Sequence, residues 1–305
     1  MDDFSRFHHA VNRQELIVAG YTDADLRAAT RTGQLETLAP GVLVPAGTLD
    51  GTAEHRHREL ARAWIRRAPV TGRALGGVSA VAAWGLPVWG LDTDRVVVVD
   101  HRRTPGTRTT SVMKLVTDRR PPAIETVDGV PVITAARAVV DVARTAPRIA
   151  AIAVGDAALH AGLCTADDLA DELDLIDRMS GASRARRVVP EMNGLAESVL
   201  ESRSRIELVD GGLPVPALQV NLYDSRGRWV ARVDFYWEAL RTVGECDGKS
   251  KYEGPDGQSL MLYEKTRTDA LVELGHRVVH WGWHDVDHPA SLIARLDRTF
   301  RRPAA

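Results

Sequence analysis

Residues 12–44 read NRQELIVAGYTDADLRAATRTGQLETLAPGVLV, and this stretch indicates the fold of the N-terminal part of the chain. Arg13–Ala19 is typical of a short helix that Gly20 ends, and Thr22 is placed to cap a second helix. The segment that follows is interrupted by Pro40 and Gly41, which predicts a small β-hairpin. A helix pair followed by a hairpin is the outline of a winged helix-turn-helix, whose second helix enters the major groove of DNA. We therefore predict a winged helix-turn-helix domain, called the head below, over residues 1–50.

The charge of the head argues against strong DNA binding by this domain alone. Residues 1–50 carry four basic and seven acidic residues, a net charge of −3. Phosphate contacts dominate the affinity of most DNA-binding proteins, so a negative head should bind weakly. We predict that Arg27 and Arg31 of the second helix contact DNA. The alternative is that this helix only packs within a small regulatory module.

Two basic segments follow the head. Residues 54–73 carry six arginines against two glutamates, and residues 102–120 carry six basic residues against Asp118 alone. These segments would supply the phosphate contacts that the head lacks, and within the second we predict DNA contacts from Arg102 and Arg103. The alternatives are a solvated helix face for the first segment and a mobile loop for the second.

The composition of the chain sets further limits. It has 305 residues, of which 26% are charged, and a formal net charge of −2, so no field of the whole molecule attracts nucleic acid or an anionic membrane. The length favours two or three domains. Cys164 and Cys246 form no CxxC pair, and we expect both to be reduced core thiols. Because no apolar stretch reaches the ~20 residues of a membrane helix and the N-terminus lacks an apolar signal core, we expect a cytoplasmic protein without a membrane partner.

Residues 51–188 mix helical and strand patterns and contain no phosphate-binding glycine loop, nucleophile elbow or metal-ligand cluster in their sequence. Residues 12–47, GVSAVAAWGLP at 77–87, GVPVIT at 129–134 and VVDVA at 139–143 follow one another in this order. In these segments the chain resembles the AbiEi family of antitoxin-type proteins from bacterial type IV toxin–antitoxin systems. The resemblance covers well over half of the chain. It implies a winged-helix DNA-binding head that represses its own operon, with DNA, in particular the operator of a toxin gene, as the partner.

A third domain is predicted over residues 189–305. The pattern indicates a helix at Leu195–Leu208 and three consecutive antiparallel strands at Ala217–Tyr223, Trp229–Tyr236 and Arg241–Asp247. The tight connection between the last two strands places Asp234 beside Glu245, and Asp247 shares a strand face with Glu245. Three carboxylates this close repel one another unless a cation or a shared proton neutralises them, so we predict a site for a hard divalent ion such as Mg²⁺. The alternative is a set of surface carboxylates on an edge strand, paired with Arg232 or Lys249.

The C-terminal domain also resembles a known superfamily. VDFYWEALRTVGECDGKSKY at 233–252 and LYEKTRTDALVELGHRVVHWGW at 262–283 resemble the PD-(D/E)xK, restriction-endonuclease-like superfamily, and most nearly its Vsr-like branch, over about residues 195–300. The resemblance implies metal-facing roles for Glu201, Asp234, Glu245 and Asp247, and stabilisation of the scissile phosphate by Lys249 or Lys251. It also implies that Lys265, Arg267 and Asp269 line a helix that packs beside the site. Asp247 stands where the superfamily has lysine, which places catalytic competence in question.

The predicted fold is therefore an α+β or α/β multidomain protein: a winged helix-turn-helix, a mixed α/β middle domain and a restriction-endonuclease-like sheet flanked by helices. Two functions are compatible with it. The first is a DNA-binding regulator of the AbiEi antitoxin type with a nuclease-like C-terminal domain. The second is a Mg²⁺-dependent DNA endonuclease that its winged helix targets to DNA. The sequence leaves the oligomeric state open.

Overall fold

The structure, a computed structural model, describes residues 4–67, 70–102, 107–246 and 257–301. The chain divides into two compact units, residues 1–192 and 193–305. Both units mix helices with β-sheets, which confirms the mixed α/β, multidomain class. The prediction of three domains, with boundaries at residues 50 and 188, stays a prediction.

The head of unit 1 contains two helices and a three-stranded sheet. Its elements are β1 (Val11–Asn12), α1 (Arg13–Val18), α2 (Asp23–Arg31), β2 (Leu35–Ala39) and β3 (Val42–Pro45). Both helices begin at a capping box, formed by Asn12 with Glu15 and by Thr22 with Asp25. Each box satisfies backbone N–H groups that have no partner inside the helix, which explains why helices this short begin where they do. The strands lie in the order β1-β3-β2, and the predicted hairpin is β2–β3.

Helix α3 (Ala53–Arg67) is linked to the head by buried and partly buried polar contacts. The backbone N–H of Ala10 donates to Glu59 Oε2 at 2.7 Å, and Arg66 Nη2 donates to the carbonyl oxygen of Ala10 at 2.6 Å. Arg66 Nε also donates to Glu15 Oε1 at 2.9 Å. One helix therefore holds both backbone groups of the residue that precedes β1, so α3 packs as a part of the head.

The rest of unit 1 is built on a six-stranded sheet in the order β6-β7-β5-β4-β9-β8. Its strands are β4 (Arg73–Leu75), β5 (Val96–Asp100), β6 (Thr107–Thr109), β7 (Met113–Thr117), β8 (Ile124–Val127) and β9 (Val130–Ile133). Its helices are α4 (Gly77–Ala83), α5 (Ala135–Thr145), α6 (Arg148–His160), α7 (Ala166–Asp174) and α8 (Ala182–Val188). Helix α5 is buried on nearly all sides because α4, α6, α7 and α8 pack around it.

Unit 2 contains a four-stranded sheet in the order β10-β11-β12-β13. Its elements are α9 (Val199–Asp210), β10 (Ala217–Tyr223), β11 (Trp229–Trp237), β12 (Thr242–Cys246), α10 (Gly257–Glu273), β13 (Arg277–Trp281), α11 (Trp283–Asp287) and α12 (Pro289–Phe300). Strands β10, β11 and β12 pair in antiparallel fashion as predicted, and β13 adds to β12 in parallel. The helix predicted from Leu195 begins four residues later, because the side chain of Ser198 caps it by accepting a hydrogen bond from the backbone N–H of Glu201.

Candidate functional site

The second helix of the head presents two arginines to solvent. Arg27 and Arg31 are both exposed and lie four residues apart on α2, so they share one face of the helix. Among the described residues, no carboxylate forms an ion pair with Arg31, whereas Arg13 on α1 pairs with Asp23 at 2.5 Å. Arg27 lies near enough to lower the pKa of Asp23, although the hydrogen bond from Arg13 is the larger cause.

Several arginines of the two basic segments pair with carboxylates of the fold. Arg62 pairs with Glu59 and Asp128, and Arg66 pairs with Glu15. In the second segment Arg120 is buried, although that segment was expected to offer its basic residues to phosphate. These side chains already have carboxylate partners, so the basic segments offer DNA fewer free cations than their composition indicates.

Arg102 is half-exposed and sits 3.6 Å from Asp100 Oδ1, a buried carboxylate that Arg73 contacts at 2.9 Å. Arg102 is therefore partly neutralised at the position where a DNA contact was predicted. Arg103 lies outside the described residues.

In unit 2, carboxylates from three elements approach one another. Glu201 comes from the first turn of α9, Asp234 from β11 and Glu245 from β12. The β11–β12 pairing runs to Phe235 opposite Gly244, and at the next position Asp234 Oδ2 accepts the backbone N–H of Cys246 at 2.8 Å. The predicted neighbours Asp234 and Glu245 do influence each other, because the charge of Asp234 contributes to a raised pKa at Glu245.

Gln219, which the sequence analysis missed, links two of these carboxylates. Its Nε2 donates to Glu201 Oε2 at 2.8 Å and to Asp234 Oδ1 at 3.1 Å. Its backbone has φ +53°, a left-handed conformation inside a strand, and the β10–β11 pairing skips from Leu218 to Val220 at this residue. A non-glycine residue held there is strained by about 1–3 kcal/mol, and such strain is concentrated at functional sites. The sequence does not predict this left-handed conformation, because glutamine has no preference for it.

Glu245 is 3% exposed on an interior strand, between β11 and β13. Burial raises its pKa to about 7 against the opposing effect of Arg267, whose Nη2 lies 2.5 Å from Glu245 Oε1. The alternative of surface carboxylates on an edge strand is therefore wrong for Glu245. Arg232, offered there as the partner of the acids, instead pairs with Glu197.

Glu201 also accepts hydrogen bonds from the two residues that precede α9. Its Oε1 accepts from Ser198 Oγ at 2.8 Å and its Oε2 accepts from the backbone N–H of Glu197 at 3.0 Å. Burial raises the pKa of Glu201 although these bonds oppose the shift, and the charge of Asp234 adds to the increase.

The structure describes only some of the remaining predicted site residues. Asp247, Lys249 and Lys251 lie outside the described residues, and Lys265 and Asp269 are exposed on α10. Within the described ranges, no group of three or more His, Cys, Asp or Glu side chains is arranged to hold a metal ion. The predicted Mg²⁺ site of Asp234, Glu245 and Asp247 thus depends on a residue beyond those ranges.

The two cysteines behave as expected of thiols inside the fold. Cys164 and Cys246 are both buried and both free. Burial raises the pKa of Cys164 to about 11, and Cys246 Sγ lies 3.4 Å from Ser204 Oγ in the core of unit 2. In addition, no helix among the described residues is long and apolar enough to cross a membrane.

The two units form a mixed α/β protein. The helix pair and the hairpin lie at the N-terminal end of the chain, and Glu201, Asp234 and Glu245, called the acidic cluster below, lie in unit 2. Residues 27–191 match the family described as the AbiEi antitoxin C-terminal domain. The uncharacterized proteins MT2308 and Rv2248 of Mycobacterium tuberculosis, strains CDC 1551 / Oshkosh and ATCC 25618 / H37Rv, are each 34% identical to the chain over 231 residues. Those residues cover 74% of this chain and 83% of each relative.

A solved structure, that of the RV2827C protein from Mycobacterium tuberculosis, covers 71% of this chain and 84% of its own at 16% identity, with a TM-score of 0.38. The chain belongs to the AbiEi antitoxin C-terminal domain family, and this membership supports an antitoxin role in a toxin–antitoxin system. The matched family ends at residue 191, so it lends no support to the predicted Vsr-like assignment of the C-terminal region.

Proposed function

We propose that this protein is a DNA-binding regulator of the antitoxin type and that α2 is the helix that enters the major groove. The observation that carries the proposal is the pair Arg27 and Arg31, exposed on one face of the second helix of a helix pair. Arginine forms bidentate hydrogen bonds both with phosphate and with guanine, so such a face suits either backbone or base contacts.

The order of elements in the head supports a winged helix-turn-helix. Two capped helices joined by a short turn are followed directly by the β2–β3 hairpin, and β3 lies between β1 and β2 in the sheet. In this arrangement the hairpin would be the wing beside the recognition helix. The proposal accounts for the three short strands of the head, which accompany two helices of only 15 residues in total.

Because α3 packs against the head, its charge has to be counted together with that of the head. Residues 51–67 carry five arginines and two glutamates, so the head together with α3 has a net charge of zero instead of −3. Within α3, Arg56 and Arg67 are exposed, while Arg62 and Arg66 have carboxylate partners. A neutral unit with a few free arginines is compatible with moderate, salt-sensitive DNA binding.

A binding assay tests this proposal. A labelled duplex taken from the DNA that precedes the gene should be retarded by the full chain, and Arg27→Ala with Arg31→Ala should weaken binding at least tenfold. Arg187→Ala, which removes an exposed arginine outside the head, is the matched control and should bind as the unmodified chain does. Equal binding by the double variant would refute the role of α2.

A second candidate function is metal-dependent phosphodiester hydrolysis in unit 2. One observation favours it: Glu201, Asp234 and Glu245 are brought together from a helix and two strands, and burial raises the pKa of two of them. A divalent ion would relieve this repulsion, and Mg²⁺, if bound by Asp234 and Glu245, would polarise a phosphate and activate a water molecule. Arg267 already neutralises part of the charge, which weakens the need for an ion.

Supercoiled plasmid separates the two functions. The full chain is incubated with plasmid in the presence and absence of Mg²⁺, in parallel with Asp234→Ala. Cleavage that needs Mg²⁺ and is lost in the variant would establish an endonuclease. Intact plasmid together with a retained mobility shift would favour a regulator whose C-terminal unit does not cleave DNA.

A further inference from the structure

Unit 1 contains a cleft of about 760 Å³ that neither proposed function uses. Its floor is the outer part of the six-stranded sheet, where β6, β7 and β5 lie side by side. Two cross-strand rows form this floor: Val97, Lys114 and Thr109 in one row, and Val99, Val116 and Thr107 in the other. Because alternate residues of a strand share a face, all six side chains point to the same side of the sheet.

The walls of the cleft come from the helical layer. The first turn of α4, the segment from the end of α5 to Pro147, and Met179 surround the floor. Val78 and Val142, which are both buried, line the cleft beside the valines of the floor. The face of a sheet is normally covered by a packed layer, so a cleft over three strands leaves apolar surface available for a ligand.

The charges around the cleft fall into two groups. Asp118 and Asp141 are neutralised internally: Arg120 Nη2 lies 2.7 Å from Asp118 and 2.8 Å from Asp141, and Arg144 lies 2.9 Å from Asp141. Both carboxylates thus accept hydrogen bonds from arginines. This group contributes no net charge to a ligand.

The second group has a net positive charge. Lys114 is exposed at the floor, and Arg95 donates through Nε to the carbonyl oxygen of Thr110 at 3.1 Å. Over the described ranges, neither cation forms an ion pair with a carboxylate, and Asp92 is the other charged residue of this group. A valine floor with two available cations at its border matches a molecule that has an apolar body and an anionic group.

We propose that this cleft binds a small amphipathic organic anion, with its apolar body against Val97 and Val116 and its anionic group at Lys114 and Arg95. The volume lies within the ~300–1,000 Å³ typical of small-molecule sites, which favours a small ligand over a protein segment. This site is additional to DNA binding and to the acidic cluster of unit 2.

The probe for the test is 8-anilinonaphthalene-1-sulfonate, an aromatic anion whose fluorescence rises in apolar surroundings. Titrated into the full chain, it should bind saturably at one site. Val116→Trp fills the floor and should abolish this binding, whereas Lys114→Glu keeps the volume, reverses one charge and should weaken binding about tenfold. Arg108→Glu, on β6 between the two threonines and directed away from the floor, is the matched control and should bind the probe as the unmodified chain does.

Three results would overturn the proposal. One is the absence of saturable binding, and another is equal binding by Lys114→Glu and the unmodified chain. The third is binding of the uncharged analogue N-phenyl-1-naphthylamine as tightly as the sulfonate, since that would remove the anionic requirement. Lys114→Glu decides the question even where Val116→Trp fails to fold, because Lys114 is exposed and its replacement leaves the packed core unchanged.

Discussion

The stability of unit 2 should depend on pH through Glu245, and Glu245→Gln isolates this dependence. Burial raises the pKa of Glu245 in the folded chain from its ordinary value of 4.5 to about 7. Between these two values the folded state keeps a proton that the unfolded state has released. The contribution of Glu245 to the free energy of unfolding is therefore fully present below about pH 4.5 and is lost as the pH rises to about 7.

The size of the effect follows from the shift. A difference of about 2.5 pH units corresponds to about 3 kcal/mol in the free energy of unfolding. Glutamine cannot ionise, so Glu245→Gln should become more stable relative to the unmodified chain by up to about 3 kcal/mol between pH 5 and pH 8. The presence of Arg267 beside the carboxylate is already contained in the raised pKa.

Urea unfolding at a series of pH values, followed by tryptophan fluorescence, measures this difference. Trp237 and Trp281 report on the core of unit 2, and the comparison of variant with unmodified chain at each pH cancels all other titrations. Glu238→Gln, on the exposed turn that follows β11, is the matched control and should show no such trend. The reasoning fails if Glu245→Gln differs from the unmodified chain by the same amount at pH 5 and at pH 8.

Three further results are expected. Arg120→Ala leaves Asp118, which is 3% exposed, without its main partner and should lower the free energy of unfolding by about 3–5 kcal/mol in urea titrations; a loss below about 1 kcal/mol would contradict this. Gln219→Gly relieves the left-handed backbone but removes hydrogen bonds to two carboxylates, so thermal unfolding should show a net loss of about 1–3 kcal/mol, and a gain in stability would show that the strain outweighs the bonds. The slope of log affinity against log salt for DNA should fall in magnitude by about 2 when Arg27 and Arg31 become alanine, and an unchanged slope would exclude phosphate contacts from them.

The sequence predicts much of the local structure because caps, turns and alternating patterns involve residues that are close together in the sequence. Thr22 was identified from the sequence as the cap of the second helix, and the structure places it at a capping box with Asp25. The three antiparallel strands of unit 2 follow from alternating residues and tight turns. Helix α4 was missed because its sequence, GVSAVAA, is apolar on every side and so lacks the helical period.

Contacts between distant residues explain the rest. Composition indicated free basic segments, but Arg62 and Arg66 are bound by carboxylates that lie 66 and 51 residues away in the sequence. The convergence of Asp234 with Glu245 was predictable because a tight turn joins their strands. Gln219 was not, because its role arises from a backbone conformation that only the packed sheet imposes.

The central claim, that the exposed arginine face of α2 binds DNA, is tested most directly by footprinting. DNase I digestion of the DNA preceding the gene should show a protected segment with the full chain. Protection should be lost with the Arg27→Ala, Arg31→Ala double variant, while circular dichroism shows that this variant is folded. Protection by the folded double variant equal to that of the unmodified chain would contradict the claim, as would the absence of any protected segment with the unmodified chain.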